Sequence, residues 1–264
     1  MNRKRITRRA LLQGSAAATS VTVIGYGTAN AQAPAARPGS AGSVGVQRLT
    51  PPAGGTIPVA FPVSKDAILI DLAGPWEVFL NAATGGMGGS MDMSGKGGFQ
   101  PYTVAQTNDS ITSYGGLRIV PDHTFENAPP PKVIVIAAQS GDTAAMLDWI
   151  RAASRHADLT MSICVGAFTL AKTGLLSGKA ATTHHSAYQE LAKRYPDIHV
   201  KRGYRFVDEG NIASSGGLTC GIDLAFHVVE RYWGRDAAAQ TALNMEYQGK
   251  GWLDASGADN AAFA

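Results

Sequence analysis

The chain has 264 residues, 45% of them apolar, with 23 Lys and Arg against 20 Asp and Glu. Five of the basic residues, Arg3, Lys4, Arg5, Arg8 and Arg9, stand at the front, so the remainder is near neutral and a nucleic-acid partner held by charge is excluded. Two cysteines, Cys164 and Cys220, are too few for a disulfide framework, and spacing alone does not bring their Cα atoms within bonding range, so their pairing is left open.

Residues 1–31 read as a twin-arginine signal peptide. Thr7-Arg8-Arg9-Ala10-Leu11-Leu12 carries the paired arginines, a weakly apolar stretch reaches Tyr26, and Ala29-Asn30-Ala31 offers the small residues of a cleavage site. Ser15, Thr19, Ser20 and Thr22 make that stretch a poor membrane span, so the expected product is periplasmic or otherwise exported, without stable membrane insertion. Residues 32–56, rich in Ala, Pro, Gly and Ser, read as a flexible linker. The folded domain is expected over 57–248, opening with a strand at 57–61 and a helix at 76–80. Asp71 interrupts the apolar run 67–73. A buried carboxylate is costly unless paired or protonated, so it is either a cap for the helix near Pro75 or a group held for chemistry.

Residues 83–98 hold too much glycine for a regular element. Met87, Met91 and Met93 are soft ligands of a kind that suits Cu(I), but no His or Cys stands beside them and a loop is the stronger reading. Apolar runs then recur at 102–105, 117–120 and 132–138; the last is almost wholly apolar, as expected of a central parallel strand covered on both faces. A helix over 143–154, a strand over 157–163 and a helix over 165–176 complete an alternation that defines a doubly wound α/β sheet with its site at the C-terminal strand ends. Further on, a short extended run delivers His184 and His185, a helix spans 188–195, and two strands between 199 and 214 are joined through 208–211. The run 216–223 is expected to lead into an amphipathic helix ending at Tyr232, a last helix is expected over about 236–247, and the tail 249–264 is expected to be poorly ordered. No His or Cys spacing matches a zinc site, and no metal is expected.

The alternation turns on residues 157–171. An apolar run ends at Cys164, Gly166 follows, and a helical pattern begins at once. Strand, sharp turn and helix would put Cys164 at an elbow, where small residues such as Ser162 and Gly166 let the backbone fold back. A thiol there meets unpaired N–H groups at a helix N-terminus, which favour the reactive thiolate. The competing reading is a buried cysteine packing as a small hydrophobe.

Several blocks in order resemble the ThiJ/PfpI family of the class I glutamine-amidotransferase-like superfamily. They are Ile70-Asp71-Leu72-Ala73-Gly74-Pro75-Trp76-Glu77, Ser162-Ile163-Cys164-Val165-Gly166-Ala167-Phe168, Gly178-Lys179-Ala180-Ala181-Thr182-Thr183-His184, Ser214-Ser215-Gly216-Gly217 and Gly221-Ile222-Asp223. The nearest branch holds isonitrile hydratases and the sensor domains of AraC-type regulators. The resemblance implies a flavodoxin-like α/β sandwich with a mostly parallel central sheet, a homodimer, a small-molecule substrate and no cofactor. It also implies Cys164 as nucleophile with Asp71 as its acid partner and His184 close by, and a substrate pocket at His185, Gly216 and Gly217. Backbone amides at Val165, Gln139 and Ser140 would form the oxyanion site. Two departures stand out: Ala138-Gln139-Ser140-Gly141 replaces the family's Pro-Gly-Gly, and Val165 replaces a threonine expected of isonitrile hydratases. The expected activity is hydration of an isonitrile to an N-substituted formamide. Glyoxalase-like or deglycating action on reactive carbonyls, or ligand and redox sensing without catalysis, are the alternatives.

Overall fold

The computed structural model describes residues 47–53, 55–82 and 98–256. The expected signal peptide, most of the expected linker and the Met/Gly-rich loop 83–97 lie outside the described residues.

The chain order is β1 (Thr56–Pro62), α1 (Leu69–Leu80), β2 (Gly98–Ala105), β3 (Ile111–Thr112), β4 (Arg118–Ile119), β5 (His123–Thr124), β6 (Val133–Ile136), α2 (Ala144–Ser154), β7 (Leu159–Ile163), α3 (Gly166–Lys172), β8 (Ala180–Ala181), α4 (Tyr188–Arg194), β9 (His199–Val200), β10 (Phe206–Asp208), β11 (Ile212–Ser215), α5 (Cys220–Trp233) and α6 (Arg235–Asn244). Seven strands form one sheet in the order β10-β11-β7-β6-β1-β2-β5. Every pairing in it is parallel except the β10–β11 hairpin.

Alternation along each strand divides the core into two layers. Val133 and Val135 face a cluster that includes Phe79 of α1 and Leu224, Phe226 and Val228 of α5. Ile134 and Ile136 face the other way, onto Met146, Ile150, Leu170 and Leu191 of α2, α3 and α4. All four β6 side chains are fully buried, each contributing roughly 1.5–3 kcal/mol, which is why the strand reads as an unbroken apolar run. Parallel pairing brings the C-terminal ends of β1, β6, β7 and β11 to one edge. The strand order reverses between β1 and β6, and such a switch point is where α/β sheets of this kind hold their ligands.

Three local outcomes differ from the sequence expectations. The helix expected at 76–80 starts earlier, at Leu69, and carries Pro75 inside it, because Asp71, Leu72, Pro75, Val78 and Phe79 form one buried face at helical spacing. The α3 helix stops at Lys172 and not at 176: the Thr173 hydroxyl donates to Leu170 O at 2.6 Å and Gly174 turns the chain at φ +81. The tail expected to be poorly ordered from 249 carries one anchored residue, while Gly249, Lys250, Leu253, Asp254 and Ser256 are exposed. Trp252 is buried against Phe226, their rings 5.9 Å apart, and its area outweighs the small polar residues around it.

Candidate active site

The elbow forms as the sequence predicts. Cys164 has φ +56, a left-handed conformation that costs a non-glycine residue of order 1–3 kcal/mol and persists only where its surroundings hold it. Three contacts do so. The Cys164 N–H donates to Gly216 O at 3.0 Å, the Thr183 hydroxyl donates to Cys164 O at 2.9 Å, and Gly166 lies against the end of β6. A Cβ on Gly166 would sit 2.4 Å from Ile136 O, so only glycine lets α3 start this close to the sheet.

Asp71 reaches the same edge from the first turn of α1. It is not a cap for the Pro75 region, as one reading of the sequence had it; the α1 N-cap is Ile68, whose side chain makes no capping bond. The Asp71 carboxyl is wholly buried, its Oδ2 accepts from Ala138 N–H at 3.1 Å, and its Oδ1 has no hydrogen-bond partner among the described residues. Burial pushes its pKa from 3.8 up to about 7, against the pull of the Ala138 amide. An orphaned oxygen on a carboxyl poised near neutrality can carry a proton and give it up.

The Cys164 thiol feels this neighbour. Burial first, then the Asp71 charge, push it from 9.0 up to about 11, while the N–H groups of Val165 and Leu218 pull the other way. The thiolate expected from the helix N-terminus alone is therefore overruled by desolvation: α3 is short, and its two amide contacts do not offset burial beside a carboxylate. The resting pair is a thiol beside an acid near its midpoint, and removing the thiol proton requires a neighbour to receive it.

A cleft of about 260 Å³ opens beside the elbow, lined among others by His184, His185, Tyr188, Arg205, Gly217 and Cys220. Cys164 stands behind its wall, and only 7% of it is exposed. His184 packs so closely on Gly217 that a Cβ there would lie 2.2 Å from its Cδ2. Its Nδ1 accepts from Ser186 N–H at 3.3 Å, which leaves Nε2 to hold the proton of the neutral ring. Burial, followed by the neighbouring His185, lowers its pKa; the two rings are 4.4 Å apart. A larger cleft of about 460 Å³ runs along β10 past Asp208 and His227, away from the elbow.

The structure thus brings Cys164, Asp71, Val165, His184, His185, Gly216 and Gly217 to one edge. Ser140 does not join them as an amide donor: its N–H is taken by Lys65 O at 2.9 Å and its hydroxyl by Asp66 at 2.7 Å. The Gln139 side chain is spent locking the turn to β1, through Ser64 N–H at 2.8 Å and Pro62 O at 3.1 Å. Without the family's Pro-Gly-Gly, this turn is fastened by side chains, and Ser140 faces the loop after β1 through Ser64, Lys65 and Asp66. The second amide on Cys164 comes instead from Leu218, which sequence reasoning did not single out. Its φ of +53 is the reason it points inward, and the Gly216-Gly217 pair before it was the available signal. No group of three or more metal-binding side chains gathers among the described residues.

This fold and edge define an α/β sandwich protein with a cysteine at a strained strand-to-helix elbow and a buried carboxylic acid beside it. Residues 58–231 match the DJ-1/PfpI family, and the chain belongs to that family. It is 32% identical to isonitrile hydratase of Pseudomonas putida over 197 residues, 73% of this chain and 79% of that one. It is 24% identical to the HTH-type transcriptional regulator GbdR of Pseudomonas aeruginosa, over 59% of this chain and 43% of that one. A ThiJ/PfpI family protein from Pseudomonas syringae superposes with a TM-score of 0.63 at 26% identity, covering 74% of this chain and 76% of that one.

Proposed function

We propose that the protein is a cysteine-dependent hydratase that converts a small isonitrile to its N-substituted formamide. The observation that carries the reading is the Cys164–Asp71 pair: a thiol held at a strained turn beside a buried carboxyl near neutrality whose second oxygen has no partner among the described residues. The likeness to an isonitrile hydratase supports the choice of substrate.

In the proposed reaction the S–H of Cys164 adds across the isonitrile carbon. Asp71 relays the proton to that carbon as the C–S bond forms, giving a thioimidate. Water then adds to the same carbon, the nitrogen takes a proton, and the C–S bond breaks to release the formamide and restore the thiol. The N–H groups of Val165 and Leu218 steady the sulfur whenever it carries charge, and the cleft holding His184, His185 and Gly217 receives the substituent on nitrogen. No step calls for a metal or an organic cofactor. The mature chain, exported by the twin-arginine route already folded, acts as a homodimer on a small molecule; the Arg8-Arg9 run supports the route and the family resemblance the dimer.

The test incubates the protein with cyclohexyl isocyanide and, separately, with methylglyoxal, beside Cys164→Ala. Formamide formation by the wild type and none by Cys164→Ala is expected. Turnover of methylglyoxal alone would move the activity to reactive carbonyls, and turnover of neither would leave a ligand-sensing domain in place of an enzyme.

A further inference from the structure

The second cysteine has no part in the reaction above, yet the fold holds it near the first. The start of α5 presses on the end of β7: a Cβ on Gly221 would come within 2.8 Å of the Ile163 side chain. Ile163 and Gly221 are the chain neighbours of Cys164 and Cys220, so the two cysteines flank a point of direct contact. Gly216 lies between them. Its carbonyl accepts from the Cys164 N–H at 3.0 Å, and a Cβ on it would stand 3.1 Å from the Cys220 sulfur. With hydrogen in place of a side chain, that glycine keeps the space beside the Cys220 sulfur open.

The electrostatics agree with the geometry. Each thiol registers charge placed at the shared edge: Cys164 feels Cys220, and Cys220 feels Asp71. Burial raises the Cys220 pKa, and the Arg205 guanidinium beside it works in the opposite direction. Arg205 is itself fixed by Asp223, whose other oxygen accepts from the Tyr247 hydroxyl at 2.9 Å. Cys220 also lines the cleft, whereas Cys164 stands behind it. Both are free thiols.

We propose that Cys220 is a redox modification site, oxidised by peroxides and then joined to Cys164 in a reversible intrachain disulfide that masks the elbow. The Cys220 thiolate attacks one peroxide oxygen, so that an S–O bond forms and the O–O bond breaks, and the departing oxygen takes up the proton the thiol released and leaves as water or an alcohol. The peroxide is reduced by two electrons and Cys220 becomes a sulfenic acid. Cys164 then attacks that sulfur: the S–S bond forms, the S–O bond breaks, and the hydroxyl departs as water with the Cys164 proton. An external dithiol reverses the bond by exchange.

The test reads mass and not turnover, so its outcome is separate from that of the isonitrile assay. The reduced full-length chain is treated with hydrogen peroxide, blocked with N-ethylmaleimide under denaturing conditions and weighed intact, then digested. The wild type is expected to lose two hydrogens, take up no maleimide and yield one peptide pair joining Cys164 to Cys220, all reversed by dithiothreitol. Cys220→Ala and Cys220→Ser are expected to add oxygen or maleimide at Cys164 with no loss of hydrogen. A wild type whose two sulfurs gain oxygen separately, stay open to maleimide after peroxide, or bond only between chains would overturn the proposal.

Discussion

Asp71→Asn separates the acid's role from its burial. The change keeps an oxygen to accept from Ala138 N–H but removes the proton that a carboxyl with pKa about 7 can move. General acid–base catalysis of this kind contributes about 10²–10⁴-fold, so isonitrile turnover is expected to fall by at least about 10². Stability moves the other way. The folded pKa is raised from 3.8 to about 7, so the native state binds a proton that the unfolded chain releases. The stability of the wild type therefore declines as pH rises from about 4 through 7, by up to about 4 kcal/mol for this wholly buried group. The substituted amide has no such charge, so urea unfolding should show the variant more stable than the wild type at pH 8 and nearly equal to it at pH 4. Removing the carboxylate also removes a group that raises the Cys164 pKa, so alkylation of Cys164 by iodoacetamide at pH 9 should quicken. A variant that keeps turnover within about tenfold, or whose thiol becomes slower to alkylate, refutes the assignment of Asp71 as the proton-carrying partner.

The backbone of the elbow gives further tests. Cys164→Gly should be more stable in urea than Cys164→Ala by about 1 kcal/mol, because only glycine relieves φ +56; equal stabilities would mean the turn stores no strain. Gly166→Ala should cost about 2 kcal/mol or more despite alanine's better helix propensity, since the new methyl meets Ile136 O at 2.4 Å, and a neutral result in the same titration would contradict the close approach. Gly217→Ala should displace His184, whose Cδ2 would lie 2.2 Å from the new methyl, raising KM for the isonitrile with little change in Tm; an unchanged KM would take His184 out of the cleft's working wall. Thr183→Val removes the 2.9 Å bond to Cys164 O and leaves that carbonyl buried without its side-chain donor, a loss of about 1–3 kcal/mol checked by thermal unfolding.

The parts of this site legible in the sequence are those written in short-range pattern. The β6 run Val133-Ile134-Val135-Ile136 declares itself because a strand buried on both faces must be apolar at every position. Cys164 stands out because a strand ending in a thiol with glycine two residues on fits an elbow, a pattern that a buried cysteine packing as a small hydrophobe shares, and the surrounding family blocks separate the two. Asp71 was ambiguous for a physical reason: the run 67–73 is apolar enough to hide its 3.6-residue period, and Pro75 and Gly74 argued for a helix start where the helix in fact continues. Its role depends on Ala138, 67 positions away, whose amide it meets only after β1 and β6 pair.

What the sequence concealed is who competes for each backbone amide. The Ala138-Gln139-Ser140-Gly141 turn is expected from the sequence to offer N–H groups to the reacting centre and the Gly216-Gly217 pair to line the substrate pocket, and both follow a parallel strand at the same edge. In the first, Lys65 O takes the Ser140 N–H, and the Ala138 N–H goes to Asp71, itself part of the site. The second keeps the Leu218 N–H for the sulfur because a left-handed residue follows two glycines. The Leu218 N–H of the β11 turn is thus a donor at the elbow beside that of Val165. The same turn leads directly into α5, whose first residue, Cys220, lines the cleft.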